Sequence, residues 1–113
     1  MHELSIVMSI LDIAKSEALK ANASQINEIE LEIGTLSGID MDSFNFAWRE
    51  AIRGTILENS NRIVFRPQGK ASCLGCDQSF DLLNRFDPCP FCNSHFINII
   101  QGKELKVKAL VVN

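Results

Sequence analysis

Four cysteines in two close pairs are the residues of this 113-residue chain whose types and spacing point most directly to chemistry. The pairs are Cys73-Leu-Gly-Cys76 and Cys89-Pro-Phe-Cys92, and twelve residues separate them. Two residues between ligands let a tight turn direct both sulfurs at one ion, and two such turns complete a tetrahedron. Four thiolates leave no coordination position open. The pattern therefore predicts a closed, structural zinc site with these four cysteines as ligands.

Two other interpretations of the cysteine pairs stay open at this point. Iron suits the same four-thiolate geometry, and an iron site would make the purified protein red when oxidised. Buried or redox-active cysteines are the other alternative, although paired spacing of this kind is among the more specific signatures of metal binding.

The N-terminus offers a second and different kind of metal site. The terminal amine of Met1, the amide nitrogen of His2 and the imidazole can close adjacent chelate rings around one ion, and three nitrogens in a plane favour Ni²⁺ or Cu²⁺. Glu3, Asp40 and His95 are candidates for the fourth ligand, while Glu3 could instead orient the imidazole from outside the coordination sphere. Without further context, an early histidine is more often part of a solvated terminus.

Charge and hydropathy limit the classes of partner. The formal net charge is −3, and four thiolates with one Zn²⁺ would make it more negative. No run of lysine and arginine is interleaved with aromatics, so the electrostatic footprint of a nucleic-acid binder is missing. The longest apolar runs, such as 109–112, are far shorter than the roughly 20 residues that span a bilayer. No signal sequence is recognisable, and we expect a soluble cytoplasmic protein.

The elements that position these residues follow from the periodicity of the apolar side chains. Apolar residues recur at helical spacing over 4–21, which predicts an amphipathic helix. Residues 28–33 alternate acids and aliphatics, which predicts a strand with one solvated face. A second helix is predicted to end at about Arg53, with Asp40 or Asp42 as its N-terminal cap.

Two more strands and the cysteine module complete the predicted architecture. The strands are expected at 62–66 and 105–111, and the alternating apolar residues of the last strand predict a core element. The order of elements predicts an α+β fold, in which two helices pack on a small three-stranded sheet. Residues 1–68 and 97–113 would form the nickel-binding base, and a four-cysteine zinc ribbon at 69–96 would be inserted into it.

The inserted module is too short to be stabilised by apolar burial alone. About 28 residues bury little apolar surface, so metal binding must supply much of the module's stability. Phe80, Leu82, Phe86 and Phe91 are predicted to form its small local core.

Over its whole length the chain resembles the HypA/HybF family of nickel-insertion accessory proteins for NiFe-hydrogenase. The resembling segments are Met1 to Ser5, Leu31 to Gly34 with Leu36 to Gly38, Arg53 to Thr55, the two cysteine pairs, and Gly102 to Leu105. The resemblance implies a nickel site at Met1, His2 and Glu3, and it associates Asp40 with that site. It also implies a structural zinc with the ligands Cys73, Cys76, Cys89 and Cys92. A histidine at the place of His95 serves some members as a nickel ligand.

The function that this resemblance implies is delivery of Ni²⁺ to the precursor of the hydrogenase large subunit. It further implies cooperation with a nickel-binding GTPase, and some members also supply urease. The competing hypothesis is a zinc-ribbon module that binds proteins or nucleic acid and holds no second metal. Titration separates them, since that module predicts one metal equivalent and the nickel carrier predicts two.

A hydrolytic enzyme ranks last, because neither an open metal site nor a nucleophile constellation is recognisable. Whether the chain is a monomer or a homodimer is left open by the sequence.

Overall fold

A computed structural model describes residues 2–113 of the chain, apart from the side chain of His2. This part of the chain contains two helices and six strands. They are α1 (His2–Lys20), β1 (Ile26–Ile33), α2 (Met41–Ala51), β2 (Asn61–Phe65), β3 (Lys70–Cys73), β4 (Ser79–Asp81), β5 (Ile97–Gln101) and β6 (Leu105–Val112). The strands form two three-stranded sheets, ordered β2-β1-β6 and β4-β3-β5. The predicted α+β fold class is confirmed.

The chain divides into two compact units. Unit 1 comprises the residues up to Leu31, Ile39–Val64 and Lys106–Asn113, and it contains both helices. Unit 2 comprises Glu32–Gly38 and Phe65–Leu105, and it contains the four cysteines. Unit 2 is thus wider than the 69–96 expected for the cysteine module. Neither helix in the described part of the chain is long and apolar enough to cross a membrane.

The core of unit 1 is formed by one face of each helix and one face of β1. The buried positions at helical spacing are Val7, Ile10, Leu11, Ala14 and Ala18 on α1, and Phe44, Ala47 and Trp48 on α2. On β1 every second residue from Ile29 is buried, as the alternation of acids and aliphatics predicts. The periodic patterns in the sequence therefore identify the inward faces of α2 and β1 correctly. On α1 the pattern is wrong for three of its apolar residues, since Leu4, Met8 and Leu19 are exposed.

A cation covers two aromatic rings of unit 1. The rings of Phe44 and Trp48 stack with their centroids 6.0 Å apart. The guanidinium carbon of Arg62, on β2, lies 5.7 Å from the first centroid and 5.3 Å from the second. Arg62 also donates from Nη2 to Oδ1 of Asn45 at 2.7 Å. Burial, and secondarily the charge of Arg49, lowers the pKa of Arg62. This arrangement links β2 to α2.

The last strand, β6, differs from the prediction. It was expected to be a core element, yet none of its eight residues is buried, and Leu105 and Val111 are exposed. The physical reason is its position at one edge of the sheet order β2-β1-β6. The alternation of apolar residues indicates a strand, whereas the burial of that strand depends on which elements pack over it.

Unit 2 has its own small core next to the second sheet. It consists of Leu36, Ala71 and Leu82, with Phe80, Ile97 and Ile99 packed against them. The central strand β3 pairs antiparallel with both β4 and β5. The prediction of a local core is confirmed for Leu82 and Phe80. It is wrong for Phe86 and Phe91, which are exposed. Phe91 lies between Cys89 and Cys92, whose sulfurs turn into the cluster and leave the phenylalanine side chain outside.

Three glycines of unit 2 meet backbone to backbone. A β-carbon on Gly34 would overlap the carbonyl oxygen of Gly102, and one on Gly102 would lie 2.6 Å from Cα of Gly69. Gly102 also has a φ of +115°, which side chains rarely allow. The amide of Gly34 donates to the carbonyl of Glu104 at 2.8 Å, and the amide of Leu36 donates to the carbonyl of Gly102 at 2.7 Å. Two of the segments that carry the family resemblance are therefore in direct contact.

Candidate metal centres

The four cysteines of unit 2 converge on one point. Cys73 ends β3, Cys76 follows in the adjoining turn, and Cys89 and Cys92 lie in a second turn. The Sγ atoms of Cys73 and Cys92 are 3.6 Å apart, and those of Cys76 and Cys89 are 3.7 Å apart. All four sulfurs lie within 4.8 Å of one another. A tetrahedral zinc with bonds of about 2.3 Å needs sulfurs about 3.8 Å apart, so this donor set fits a structural Zn²⁺.

The two cysteine turns have the same backbone construction. In the first, the amide of Gly75 donates to Sγ of Cys73 at 3.3 Å; in the second, the amide of Phe91 donates to Sγ of Cys89 at 3.4 Å. Such N–H···S bonds offset part of the thiolate charge. Each turn then closes on a residue with φ of 62°, Asp77 in the first and Asn93 in the second. Aspartate and asparagine tolerate this left-handed conformation better than most residues.

Three of the cysteines, Cys73, Cys76 and Cys92, have shifted pKa values in the absence of a metal. The backbone N–H of Cys76 is the main cause that lowers the pKa of Cys73 to about 7. The backbone N–H of Gln78 lowers the pKa of Cys76, but burial and the neighbouring sulfurs outweigh it and raise that pKa to about 12. The pKa of Cys92 is also raised, since the sulfur of Cys73 and burial outweigh the N–H of Ser94. A metal must therefore displace protons from at least two of these thiols.

The structure also brings together two of the candidates for nickel binding, Glu3 and Asp40. Glu3 lies in the first turn of α1 and is only 8% exposed. Its Oε2 accepts a hydrogen bond from the backbone N–H of Asp40 at 3.2 Å. A buried carboxylate at the start of one helix thus ties that turn to the residue that precedes the other helix.

Asp40 is the N-terminal cap of α2. Its Oδ1 accepts from the amide of Asp42 at 3.1 Å, and its Oδ2 accepts from Oγ of Ser43 at 3.0 Å. The sequence left Asp40 and Asp42 as alternative caps, and the structure selects Asp40. Since both carboxylate oxygens accept hydrogen bonds, a metal ligated by Asp40 would compete with the helix for them.

The remaining candidates for nickel binding are Met1, His2 and His95. Met1 and the side chain of His2 lie outside the described part of the chain. His95 is exposed and belongs to unit 2, whereas Glu3 and Asp40 belong to unit 1. The bond between Glu3 and Asp40 is what sequence reasoning missed. It joins residues 37 positions apart, and no local pattern reports such a contact.

Comparison with known proteins gives this geometry its context. The family described as hydrogenase/urease nickel incorporation, metallochaperone, HypA, matches residues 1–112. The chain belongs to the HypA family. Similar proteins of that name include the hydrogenase maturation factor HypA of Parabacteroides distasonis, which is 41% identical over 112 residues, with 99% of this chain and 97% of the relative covered. That of Azotobacter vinelandii is 36% identical, with 99% of each chain covered.

Solved structures of HypA proteins have the same fold. The solution structure of the Ni metallochaperone HypA from Helicobacter pylori has a TM-score of 0.67 at 23% identity, covering 97% of this chain and 96% of the other. A second solution structure of a HypA protein has a TM-score of 0.71 at 23% identity and covers 100% of this chain and 97% of the other. The family resemblance inferred from the sequence is confirmed.

Membership of the HypA family fixes the general role of the chain. It is a nickel-incorporation metallochaperone of hydrogenase/urease maturation. Nickel is then cargo, and the four-cysteine cluster fits the structural zinc of the family. The prediction of two metals with different purposes is confirmed at this level.

Proposed function

We propose that this chain binds Ni²⁺ at its N-terminus and delivers it to the precursor of the hydrogenase large subunit, together with a nickel-binding GTPase. The observation that supports the proposal most is the match of the nickel-incorporation family to residues 1–112. In the proposal the α-amine of Met1 and the amide and imidazole nitrogens of His2 form the planar chelate. Asp40 and His95 are the candidates for the fourth ligand, and urease is a second recipient.

Glu3 has a defined place in this proposal. Its carboxylate accepts a hydrogen bond from Asp40, so it holds the first turn of α1 against the start of α2. A chelate whose ring atoms begin at residue 1 needs such an anchor, because chain termini are otherwise poorly ordered. We therefore assign Glu3 the role of positioning the chelate, in preference to direct ligation.

Release of the cargo follows from proton competition. An ordinary histidine titrates near pH ~6.5 and an α-amine near ~7.7–8.0, so mild acidification weakens a chelate made of these groups.

Cys73, Cys76, Cys89 and Cys92 serve as the zinc ligands in the proposal, and they shape unit 2 without entering the transfer. A closed four-thiolate zinc offers no coordination position to a substrate, which supports a carrier that is not an enzyme. Reduced thiolates suit the cytoplasm, where we propose the chain acts as a monomer or homodimer.

Nickel titration of zinc-loaded protein tests this function. We expect one equivalent of nickel beyond the zinc, and we expect His2→Ala to abolish it while zinc content and circular dichroism stay unchanged. His95→Ala is compared with it, because these are the two histidines of the chain. Unchanged nickel binding in His95→Ala would leave Asp40 as the fourth ligand, and weakened binding would assign that place to His95. Failure of wild-type protein to take up nickel beyond the zinc would support the zinc-ribbon interaction module instead.

Transfer is tested separately with purified components. Nickel-loaded protein is mixed with the GTPase, GTP and the large-subunit precursor, and nickel in the precursor is then measured. Transfer from wild-type protein that exceeds transfer from free nickel at the same concentration supports delivery. Equal transfer from both sources would contradict it.

A further inference from the structure

Three large apolar side chains stand exposed on the turns that hold the cysteines. Leu74 is 66% exposed, Phe91 64% and Phe96 77%. We call these three residues the knuckle surface. Leu74 lies between the cysteines of the first pair and Phe91 between those of the second. The amide of Leu74 donates to the carbonyl of Phe96 at 2.9 Å, and the sulfurs that join the two turns are 3.6 Å apart. The three side chains therefore project from neighbouring points.

This exposure is not required by the packing of unit 2. Its core is Leu36, Ala71 and Leu82, and the partly buried residues that pack on this core are Phe80, Ile97 and Ile99. The turns themselves are held by the cysteine sulfurs and the N–H···S bonds. Solvent-exposed groups of large apolar side chains in soluble proteins mark interaction sites, and aromatic residues are enriched among those that contribute most to binding.

The charges around the knuckle surface restrict what can cover it. Between residues 73 and 96 the chain has three aspartates and one arginine, Arg85; Asp81 lies opposite Lys70 on β3, which leaves Asp77 and Asp87 as the other acidic residues. Four thiolates with one Zn²⁺ add two further negative charges. An apolar centre in negative surroundings disfavours nucleic-acid phosphates, anionic lipids and the same surface of a second copy. A protein that presents apolar side chains among lysines and arginines is complementary to it.

We propose that the knuckle surface docks a partner protein through an apolar contact ringed by basic side chains of the partner. The N-terminal chelate and the knuckle surface lie in different units of the chain, so the docking proposal stands whether or not nickel is bound. A carrier with this arrangement would hold its partner with unit 2 and present its cargo from unit 1.

Two designed helical peptides serve as probes. They share one stripe of leucines, and the opposite face carries lysines in one peptide and glutamates in the other. Binding to the zinc-loaded full-length chain is measured by fluorescence anisotropy. We expect the lysine peptide to bind at least about tenfold more tightly than the glutamate peptide, with affinity that falls as salt is raised.

Variants then locate the contact. Leu74→Ser, Phe91→Ser and Phe96→Ser should each weaken the lysine peptide by about tenfold, the scale of an interface residue that contributes strongly. The matched control is Phe46→Ser, which alters a phenylalanine of unit 1 that is 59% exposed. It should leave binding within about twofold. Zinc content is measured for each variant, and the separate positions of the three residues keep the test valid if one variant loses its metal.

Several outcomes would overturn the proposal. These are equal binding of the two peptides, no binding of either peptide, or a loss of lysine-peptide binding in Phe46→Ser as large as that in the knuckle-surface variants. Wild-type binding to vesicles of phosphatidylcholine and phosphatidylglycerol that is lost in Phe91→Ser would identify a membrane contact instead. Self-association that Phe91→Ser abolishes would identify the surface as an interface between copies.

Discussion

At the scale of single residues, the two metal sites differ in how far the sequence reveals them. The cysteines are recognisable because a tetrahedral thiolate site needs two close pairs, and the structure places their sulfurs at zinc-like separations. Glu3 is different. Its type and position suggest a ligand, yet its buried carboxylate accepts a hydrogen bond from Asp40. Local sequence patterns carry no information on a contact made across 37 positions.

Substitution of Glu3 separates positioning from ligation. Glu3→Gln keeps an acceptor for the amide of Asp40 and should retain most of the nickel affinity, whereas Glu3→Ala should lose it. Glu3→Ala should also lower the free energy of unfolding by about 2 kcal/mol, since a hydrogen bond to a buried carboxylate is lost. Urea unfolding and nickel titration measure the two effects. If Gln removed nickel as completely as Ala does, Glu3 would be a direct ligand.

The raised pKa values of two cysteine thiols predict how zinc affinity depends on pH. Because the pKa values of Cys76 and Cys92 are raised, both hold protons at neutral pH until the metal displaces them. Zinc affinity should thus rise with pH by at least about 100-fold per unit between pH 6 and 7, tenfold for each displaced proton. Competition with a chromophoric chelator at several pH values measures this. A flat profile would show that the thiols are already ionised.

At the scale of elements, periodic patterns located most of the fold. The two helices, β1 and β6 are found within two or three residues of their predicted ends. The strands β3 and β4 escaped separate prediction, because four and three residues are too few to show a period. The five residues of β5 include the adjacent apolar residues Ile99 and Ile100, which interrupt the alternation. The burial of β6 was wrong for another reason. Its edge position results from the order of the strands, to which its own sequence contributes little.

The close approach of Gly34 to Gly102 is testable at this scale. Gly34→Ala would force a methyl group into the backbone of Gly102 and should lower the free energy of unfolding by about 2 kcal/mol or more. The control is Gly75→Ala, where the nearest atoms would be 3.7 Å away and the effect should be small. Urea unfolding of the zinc-loaded proteins compares them. Equal stability of the two variants would contradict the contact.

At the scale of the whole molecule, the chain divides into two compact units, to which the proposed function assigns different metals. Unit 2 has a small apolar core and a closed sulfur cluster, which suit a permanent ion. Unit 1 has the larger core and a first turn of α1 that Glu3 anchors to the start of α2, which supports the proposed nickel chelate at the N-terminus. Periodic patterns and ligand spacing do not predict the recipient of the nickel or the partner proteins, because recognition depends on surfaces that these patterns do not encode.

In the proposed function, nickel is held by the terminal amine and His2, apart from the four cysteines. The most direct measurement compares nickel binding by zinc-loaded protein with Gly-Ser added before Met1 and by protein with Gly-Ser added after Asn113. The added residues replace the primary amine of Met1 with an amide, so the N-terminal addition should abolish the planar nitrogen signature in X-ray absorption and weaken binding as strongly as His2→Ala does. The C-terminal addition should change neither. Equal affinity and identical spectra for the two proteins, or sulfur ligands around the nickel, would contradict a nickel site at the N-terminus.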